Sequence, residues 1–438
     1  MDAEKIKAER FFLVNLGCPK NLVDSENLSL ELMKMGLVPV SDPEEAEIIV
    51  INTCGFIKEA RAMSLNYSRA FERSGKKLII TGCLPKRIGT DEVRKKVSAD
   101  FIIPDWRDIP ALIKNKRTKK AGNSSRNGLG EYMQNVIRIN TLSPFSAYVK
   151  ISEGCSRLCS FCSIPFIRGY LNSRKEEDIL NEIRYLAQNG VKEFILVSQD
   201  TTMWGVDLYK DRSSLLRLLD KISEIDGVEW IRLFYIYPDT FAEKLIDYIS
   251  SNDKIVRYIE MPFQHFDDEI LQSMGRATSQ KLIRKIMDKI KEKLPDLSLR
   301  TELIVGFPGE TEEKFRKILE FMQTYEFDWV GVFEFSPEEG TKAYELWKSN
   351  PVPKSVVKRR KREVISLFSE ILEKKQKQRV GRRFSCIFER ENTLRAYFQA
   401  PEIDGVVRVK MNQKEIKPFY EVKITSFKGP DLTGEIIV

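Results

Sequence analysis

The chain has 438 residues, 42% of them apolar, with 25 Phe, 14 Tyr and 5 Trp, which is enough for two or three folded domains with separate cores. No run approaches 18 uncharged apolar residues, and the opening MDAEKIKAER is charged where a secretory signal is apolar; the expectation is no membrane-spanning helix, no secretory signal and a cytoplasmic protein. The net charge of +8 suits an anionic partner such as RNA only mildly, and seven Cys beside one His mean that any metal site is mainly sulfur-ligated, zinc or iron–sulfur rather than mixed Cys/His.

The first hundred residues repeat one pattern. FFLVNLGC (11–18), IIVINTC (48–54) and KLIITGC (77–83) are short β-branched runs, each ending at a cysteine. The segments between them, 25–36 and 58–75, have helical spacing. A period of about 30 residues fits βαβ units in a parallel sheet. The three carboxyl ends then fall on one edge, where open α/β sheets bind ligands.

Residues 114–131 are basic, then rich in Gly, Ser and Asn, and read as a linker or solvated loop. From about 145 to 337 strand–helix alternation resumes. AYVKISEG, FILVSQD, WIRLFYIYP, YIEMPFQH, LRTELIVGF and WVGVFEF are the strand candidates, with amphipathic helices such as 176–190 and 313–327 between them. Six units suggest an open or partial barrel, with chemistry on the loops after the strands. Residues 354–383 form a basic helical segment whose apolar face includes Val364, Leu367, Phe368 and Leu372. FSCIFER, LRAYFQA, GVVRVKM, YEVKITSF and GEIIV then predict a small OB-like β-barrel.

Chemistry concentrates in GCSRLCSFC, where Cys155, Cys159 and Cys162 follow the first barrel strand. Structural zinc wants four ligands. Three thiolates on one tight loop, with no fourth Cys or His near in sequence, suit a four-iron cluster with one iron open to a ligand. Elsewhere in the barrel, Ser198 and Gln199 end the second strand with polar groups. Gly306 and Pro308 lie in IVGFPGE, where turn chemistry and close approach to a ligand are both readings of the glycine. His265 reads as a hydrogen-bonded structural histidine, and Cys386 as a small buried apolar residue.

This cysteine spacing, on the loop after the first strand of a six-unit barrel, resembles the radical S-adenosylmethionine enzymes. The resemblance implies that the open iron binds S-adenosyl-L-methionine, that the pair generates a carbon radical which abstracts hydrogen, and that Ser198, Gln199, Gly306 and Pro308 lie along the cofactor. LGCPKNLVDSE (16–26), NTCGFI (52–57) and TGCLPKR (81–87) are similar to the N-terminal domain of the methylthiotransferases. That likeness implies a second 4Fe-4S cluster on Cys18, Cys54 and Cys83, and a C-terminal TRAM domain. The implied fold class is α/β: a parallel α/β domain at 9–120, a linker at 121–140, a radical SAM partial (β/α)6 TIM barrel at 141–371 and a small antiparallel TRAM barrel at 374–438.

GCPKNLVDSE and QAPEIDG (399–405) look like the branch of that family that modifies an aspartate β-carbon in small-subunit ribosomal protein number twelve, free or in the ribosome. The other branch modifies an adenosine of transfer RNA. From Cys386 onward 8 Lys+Arg balance 8 Asp+Glu, so the terminal barrel is neutral and fits a basic protein better than RNA. The basic helix argues the other way, as a contact for ribosomal or transfer RNA. The resemblance further implies a low-potential electron donor and a sulfur source. A non-enzyme reading, an iron–sulfur redox sensor or cluster carrier, would not need the six-unit barrel.

Overall fold

The structure, a computed structural model, describes residues 9–118, 137–411 and 416–437. Most of the linker read at 121–140 lies outside them. The chain divides into two compact units. One runs to Thr141 and also takes in Ser163–Tyr170; the other comprises Leu142–Cys162 and Leu171 onward.

In the first unit the described residues form a parallel five-stranded sheet in the order β2-β1-β3-β4-β5. The strands are β1 (Arg10–Asn15), β2 (Val38–Pro39), β3 (Ile48–Thr53), β4 (Lys77–Gly82) and β5 (Phe101–Ile103). The three strands expected from the sequence occupy the centre, and two short ones extend the edges. All six residues of β3 are buried, because helices cover both faces of a parallel sheet and only an unbroken apolar run suits that position. Val50 and Ile79 pack into a core on one face, Ile49 and Ile80 into a core on the other. Register aligns Asn15 with Asn52 and Asn52 with Thr81, so the carboxyl ends of β1, β3 and β4 are level.

In the second unit, six parallel strands lie in the order β13-β12-β11-β10-β9-β6. They are β6 (Ser146–Lys150), β9 (Glu193–Val197), β10 (Trp230–Leu233), β11 (Ile255–Glu260), β12 (Ser298–Val305) and β13 (Trp329–Glu334); β7 (Ser152–Glu153) and β8 (Asn172–Ser173) form a small ribbon beside them. All six match the strands read from sequence. Their apolar residues and those of the intervening helices make one continuous core.

The terminal barrel is closed in the order β14-β15-β16-β18-β17, from β14 (Arg383–Arg390), β15 (Thr393–Ala396), β16 (Val407–Arg408), β17 (Phe419–Lys428) and β18 (Asp431–Ile436). It is antiparallel except where β16 lies beside β18. Cys386 is fully buried in its core.

Two expectations need correction. LRAYFQA is not one strand: β15 stops at Ala396, and the following residues leave the ladder to seat against the amino ends of the six-stranded sheet. There the Phe398 carbonyl accepts from Ser298 Oγ at 3.0 Å and from Trp329 Nε1 at 2.6 Å, and the Tyr397 carbonyl accepts from Arg232 at 2.8 Å. Donors in the neighbouring sheet replace a ladder partner, so extended pairing ends. QAPEIDG belongs to this plug. Asp404 accepts from Tyr258 Oη at 2.9 Å and from Arg300 at 2.7 Å, and Glu402 from Tyr148 Oη at 3.2 Å. The acidic groups counted towards a neutral outer face are partly consumed inside the unit, which weakens the charge argument about partners.

The basic helix, Lys354–Arg379, likewise spends charge inside the unit. Arg360 pairs with Glu310 at 2.6 Å and Arg379 with Asp328 at 2.9 Å, both buried. Arg359, Lys361, Lys374 and Lys375 pair with Glu312, Glu334, Glu326 and Asp328. Much of its positive charge fastens the helix to the barrel rather than facing a polyanion.

Candidate metal centres

In the first unit Cys54 follows β3 directly and Cys83 follows β4 directly, while Cys18 stands three residues beyond β1. Parallel register brings them together, and Asn21 lies between two of them. Its Oδ1 is 3.9 Å from Cys18 Sγ and 3.6 Å from Cys83 Sγ. Asn21 Nδ2 is fixed by Asn52 Oδ1 at 3.3 Å and the Thr53 carbonyl at 3.1 Å. Each cysteine adjoins a glycine, and the space is already taken: a Cβ on Gly17 would meet the Asn21 side chain at 2.4 Å, one on Gly82 would meet Asn52 Oδ1 at 2.2 Å, and one on Gly55 would meet the Cys83 carbonyl oxygen at 2.4 Å.

Burial above all, with smaller contributions from Cys83 and Cys18, pushes the Cys54 thiol up to about 11. Burial also raises Cys83, with Arg168 and Asn21 acting against it. Arg168 sits on the short helix Ile164–Arg168. It donates through Nε to Cys83 Sγ at 3.3 Å and pairs with Asp24 at 2.7 Å.

In the second unit Cys155, Cys159 and Cys162 lie on one loop. The backbone N–H of Arg157 points at Cys155 Sγ, 3.5 Å away, and the N–H of Cys162 donates to the Cys159 carbonyl at 3.1 Å. Ser160 pins the loop, donating through its N–H to the Met274 carbonyl at 2.8 Å and through Oγ to the Ser273 carbonyl at 2.7 Å. Arg276 reaches Cys159 Sγ at 3.9 Å. Arg157 and Arg276 stack on Tyr237, at 4.0 and 4.4 Å from its ring centre. Arg157 also pairs with Asp200 at 2.5 Å and Asp239 at 2.8 Å. Burial raises the Cys155 thiol to about 11.

Among the described residues no three His, Cys, Asp or Glu side chains are gathered to share a single ion, as zinc ligands are at about 2.3 Å from the metal. The donor sets are thiol-only, from the exposed Cys18 through four half-buried thiols to the buried Cys83, and are flanked by N–H donors and guanidinium groups, the surroundings that suit an iron–sulfur cluster.

The remaining residues singled out in sequence fall around the barrel. Ser198 is buried against Thr201, Oγ to Oγ1 3.2 Å. Gln199 donates to Glu153 at 3.0 Å while its own Oε1 is buried without a partner, an acceptor that suits a bound ligand. Gly306 has φ of +79°, and a Cβ there would meet Val357 at 2.4 Å, so turn and packing account for the glycine. Pro308 is buried beside it. His265 is fully buried, its Nδ1 accepting from Asp267 N–H at 3.0 Å and its Nε2 3.2 Å from Glu310. Glu310 also accepts from the Gly306 N–H at 3.0 Å. Sequence reading missed Asn21, Asp24, Arg157, Arg168, Tyr237 and Arg276. Asn21 and Asp24 lie inside the GCPKNLVDSE motif and Arg157 inside GCSRLCSFC; Arg168, Tyr237 and Arg276 carry no local signal, since only folding brings them to the cysteines.

A partial parallel barrel with three cysteines on its first loop, in a chain whose other unit carries three cysteines after parallel strands, defines a radical S-adenosylmethionine enzyme. Residues 149–322 match the Radical SAM superfamily, residues 10–104 the Uncharacterized protein family UPF0004 and residues 380–437 the TRAM domain. Two solved structures of TsrM, a radical S-adenosylmethionine methyltransferase from Kitasatospora setae, share the fold. One has cobalamin and a [4Fe-4S] cluster bound (TM-score 0.56, 14% identity, 77% of this chain and 74% of that one) and the other has tryptophan and a SAM analogue bound (TM-score 0.55, 14% identity, 74% and 73%).

The chain is 40% identical over 434 residues to the ribosomal protein uS12 methylthiotransferase RimO of Aquifex aeolicus, with 96% of each chain covered. It is 39% identical over 446 residues to that of Acetivibrio thermocellus, covering 97% and 98%. The chain belongs to the RimO methylthiotransferase family and is a transferase.

Proposed function

We propose that the chain transfers a methylthio group to the β-carbon of an aspartate in ribosomal protein uS12, using S-adenosyl-L-methionine and two 4Fe-4S clusters. The observation that carries this reading is the likeness, across 96% of both chains, to a protein named for that activity. Cys18, Cys54 and Cys83 would hold one cluster, and Cys155, Cys159 and Cys162 the other.

Bound at the barrel triad, cluster and S-adenosyl-L-methionine together supply the one-electron chemistry that removes hydrogen from an unactivated carbon. The chain's residues hold that chemistry in place. Ser160 and Arg276 fix the cysteine loop, Gln199 offers a buried acceptor, and Glu310 holds the Gly306 N–H so that the 304–310 turn keeps one shape. In the other unit Asn21 and Arg168 order the thiols where sulfur would be delivered. A low-potential electron donor and a sulfur source complete the reaction, and an exposed remainder of the basic helix is available for ribosomal RNA when the substrate is the assembled subunit.

The test is mass spectrometry after anaerobic incubation of reconstituted enzyme with S-adenosyl-L-methionine, sulfide and a reductant. Free uS12, assembled small subunits and transfer RNA are compared. A methylthio group replacing one hydrogen on uS12 is the expected result; modification of transfer RNA alone would refute the substrate assignment.

A further inference from the structure

The short segment Ser163–Tyr170 follows Cys162 along the chain yet packs with the first unit. Ser163 donates through Oγ to the Phe56 carbonyl at 2.9 Å, two residues beyond Cys54. Arg168 at its far end uses all three arms of its guanidinium. Nε donates to Cys83 Sγ at 3.3 Å, Nη1 to Asp24 at 2.7 Å, and Nη2 to Asn21 Oδ1. Asn21 and Asp24 are three apart on the helix Pro19–Lys34 and so share a face. The ion pair is almost dry, with side chains 6% and 2% exposed.

A buried ion pair is weak as a stability device, since an apolar pair of similar volume often serves as well. Its position explains it better. Asp24 and Asn21 take two arms of the fork and leave Nε aimed at sulfur. An N–H to sulfur bond and a nearby positive charge favour the more negative state of a thiolate-bound cluster.

We propose that Arg168 is a positioning residue of the N-terminal centre: held by Asp24 and Asn21, it hydrogen-bonds Cys83 and raises the reduction potential of the cluster bound by Cys18, Cys54 and Cys83. This rests on the reading that the triad holds a cluster. Lysine cannot replace the arginine fully, because an ammonium keeps the charge and loses the planar three-way fork.

The experiment uses the full chain with Cys155, Cys159 and Cys162 replaced by Ala, so that only the N-terminal triad can load. Iron content and absorption are measured first; absence of a cluster there refutes the underlying reading before any Arg168 variant is made. With the cluster present, potential is measured by titration monitored by paramagnetic resonance. Arg168→Met is expected to shift the reduction equilibrium at least tenfold towards the oxidised form, about 59 mV for a one-electron couple, at unchanged iron content. Arg168→Lys is expected to shift it less. An unchanged potential in the Met variant, with circular dichroism and iron content intact, overturns the proposal. Should Arg168→Met fail to fold, Asp24→Asn combined with Arg168→Met leaves no unpaired buried carboxylate and still removes the N–H donor to Cys83, and is read by the same criterion.

Discussion

Gly55 and Cys83 approach so closely that a Cβ on Gly55 would stand 2.4 Å from the Cys83 carbonyl oxygen and 2.8 Å from the Leu84 nitrogen. The obstacle is backbone, which cannot swing aside as a side chain can. Gly55→Ala is therefore expected to cost about 1–3 kcal/mol and to separate the ends of β3 and β4. Loaded protein should lose the iron of one cluster while still cleaving S-adenosyl-L-methionine. Iron analysis beside a thermal melt checks this; full iron content in the variant would refute the steric account.

The two triads have separable roles. Cys159→Ala should abolish 5′-deoxyadenosine release. Cys54→Ala should spare that release and prevent methylthio transfer, read on uS12 by mass spectrometry. Intact methylthio transfer in Cys54→Ala would remove the sulfur role assigned to the N-terminal triad.

Glu193, the first residue of β9, fastens the terminal barrel to the sheet. It accepts from Arg232 at 2.8 Å, from Ser146 Oγ at 2.8 Å and from Arg395. Burial by itself raises this carboxyl; Arg395 and Arg232 outweigh burial and bring it down to about 2. A carboxyl depressed on folding stabilises the fold above its ordinary value, about 4.3, and loses that contribution as pH falls from there to about 2. The difference corresponds to about 3 kcal/mol. Denaturant midpoints should fall over that window, and Glu193→Gln should flatten the dependence while costing about 3–5 kcal/mol at neutral pH, because the buried Arg232 loses its carboxylate partner and Arg395 keeps only Glu389.

Gly306 meets Val357 from the basic helix. Gly306→Ala should destabilise through both that contact and the positive φ. Adding Val357→Ala should relieve the contact and leave the backbone term, about 1–2 kcal/mol. Chemical denaturation of the single and double variants separates the two; additive losses in the double variant would show that the clash is absent.

Cys386 lies in the terminal barrel core, and burial raises its thiol. Cys386→Ala should leave iron content unchanged and cost about 1 kcal/mol from the lost packing. A drop in iron would make it a ligand after all.

Periodicity and residue type were sufficient for much of this protein. The unbroken runs ending at Cys54 and Cys83, recurring at a βαβ period, read as strands of a parallel sheet, whose covered faces are both apolar. The spacing of Cys155, Cys159 and Cys162 is local, so three thiols on one loop were legible without a fold. His265 was also read correctly as a bonded core residue, now seen between Asp267 and Glu310. What the chain order could not contain is partnership at long separation. Arg168 reaches sulfur 85 residues away and Arg276 reaches sulfur 117 residues away. Arg395 neutralises a carboxylate 202 residues distant. The basic helix and the acidic plug looked like surfaces for partners because composition counts charges and is blind to pairing. Register at the sheet edge and docking of the terminal barrel decided which of those charges face water and which are enclosed, and a charge leaves water at low cost only where folding supplies its counterpart.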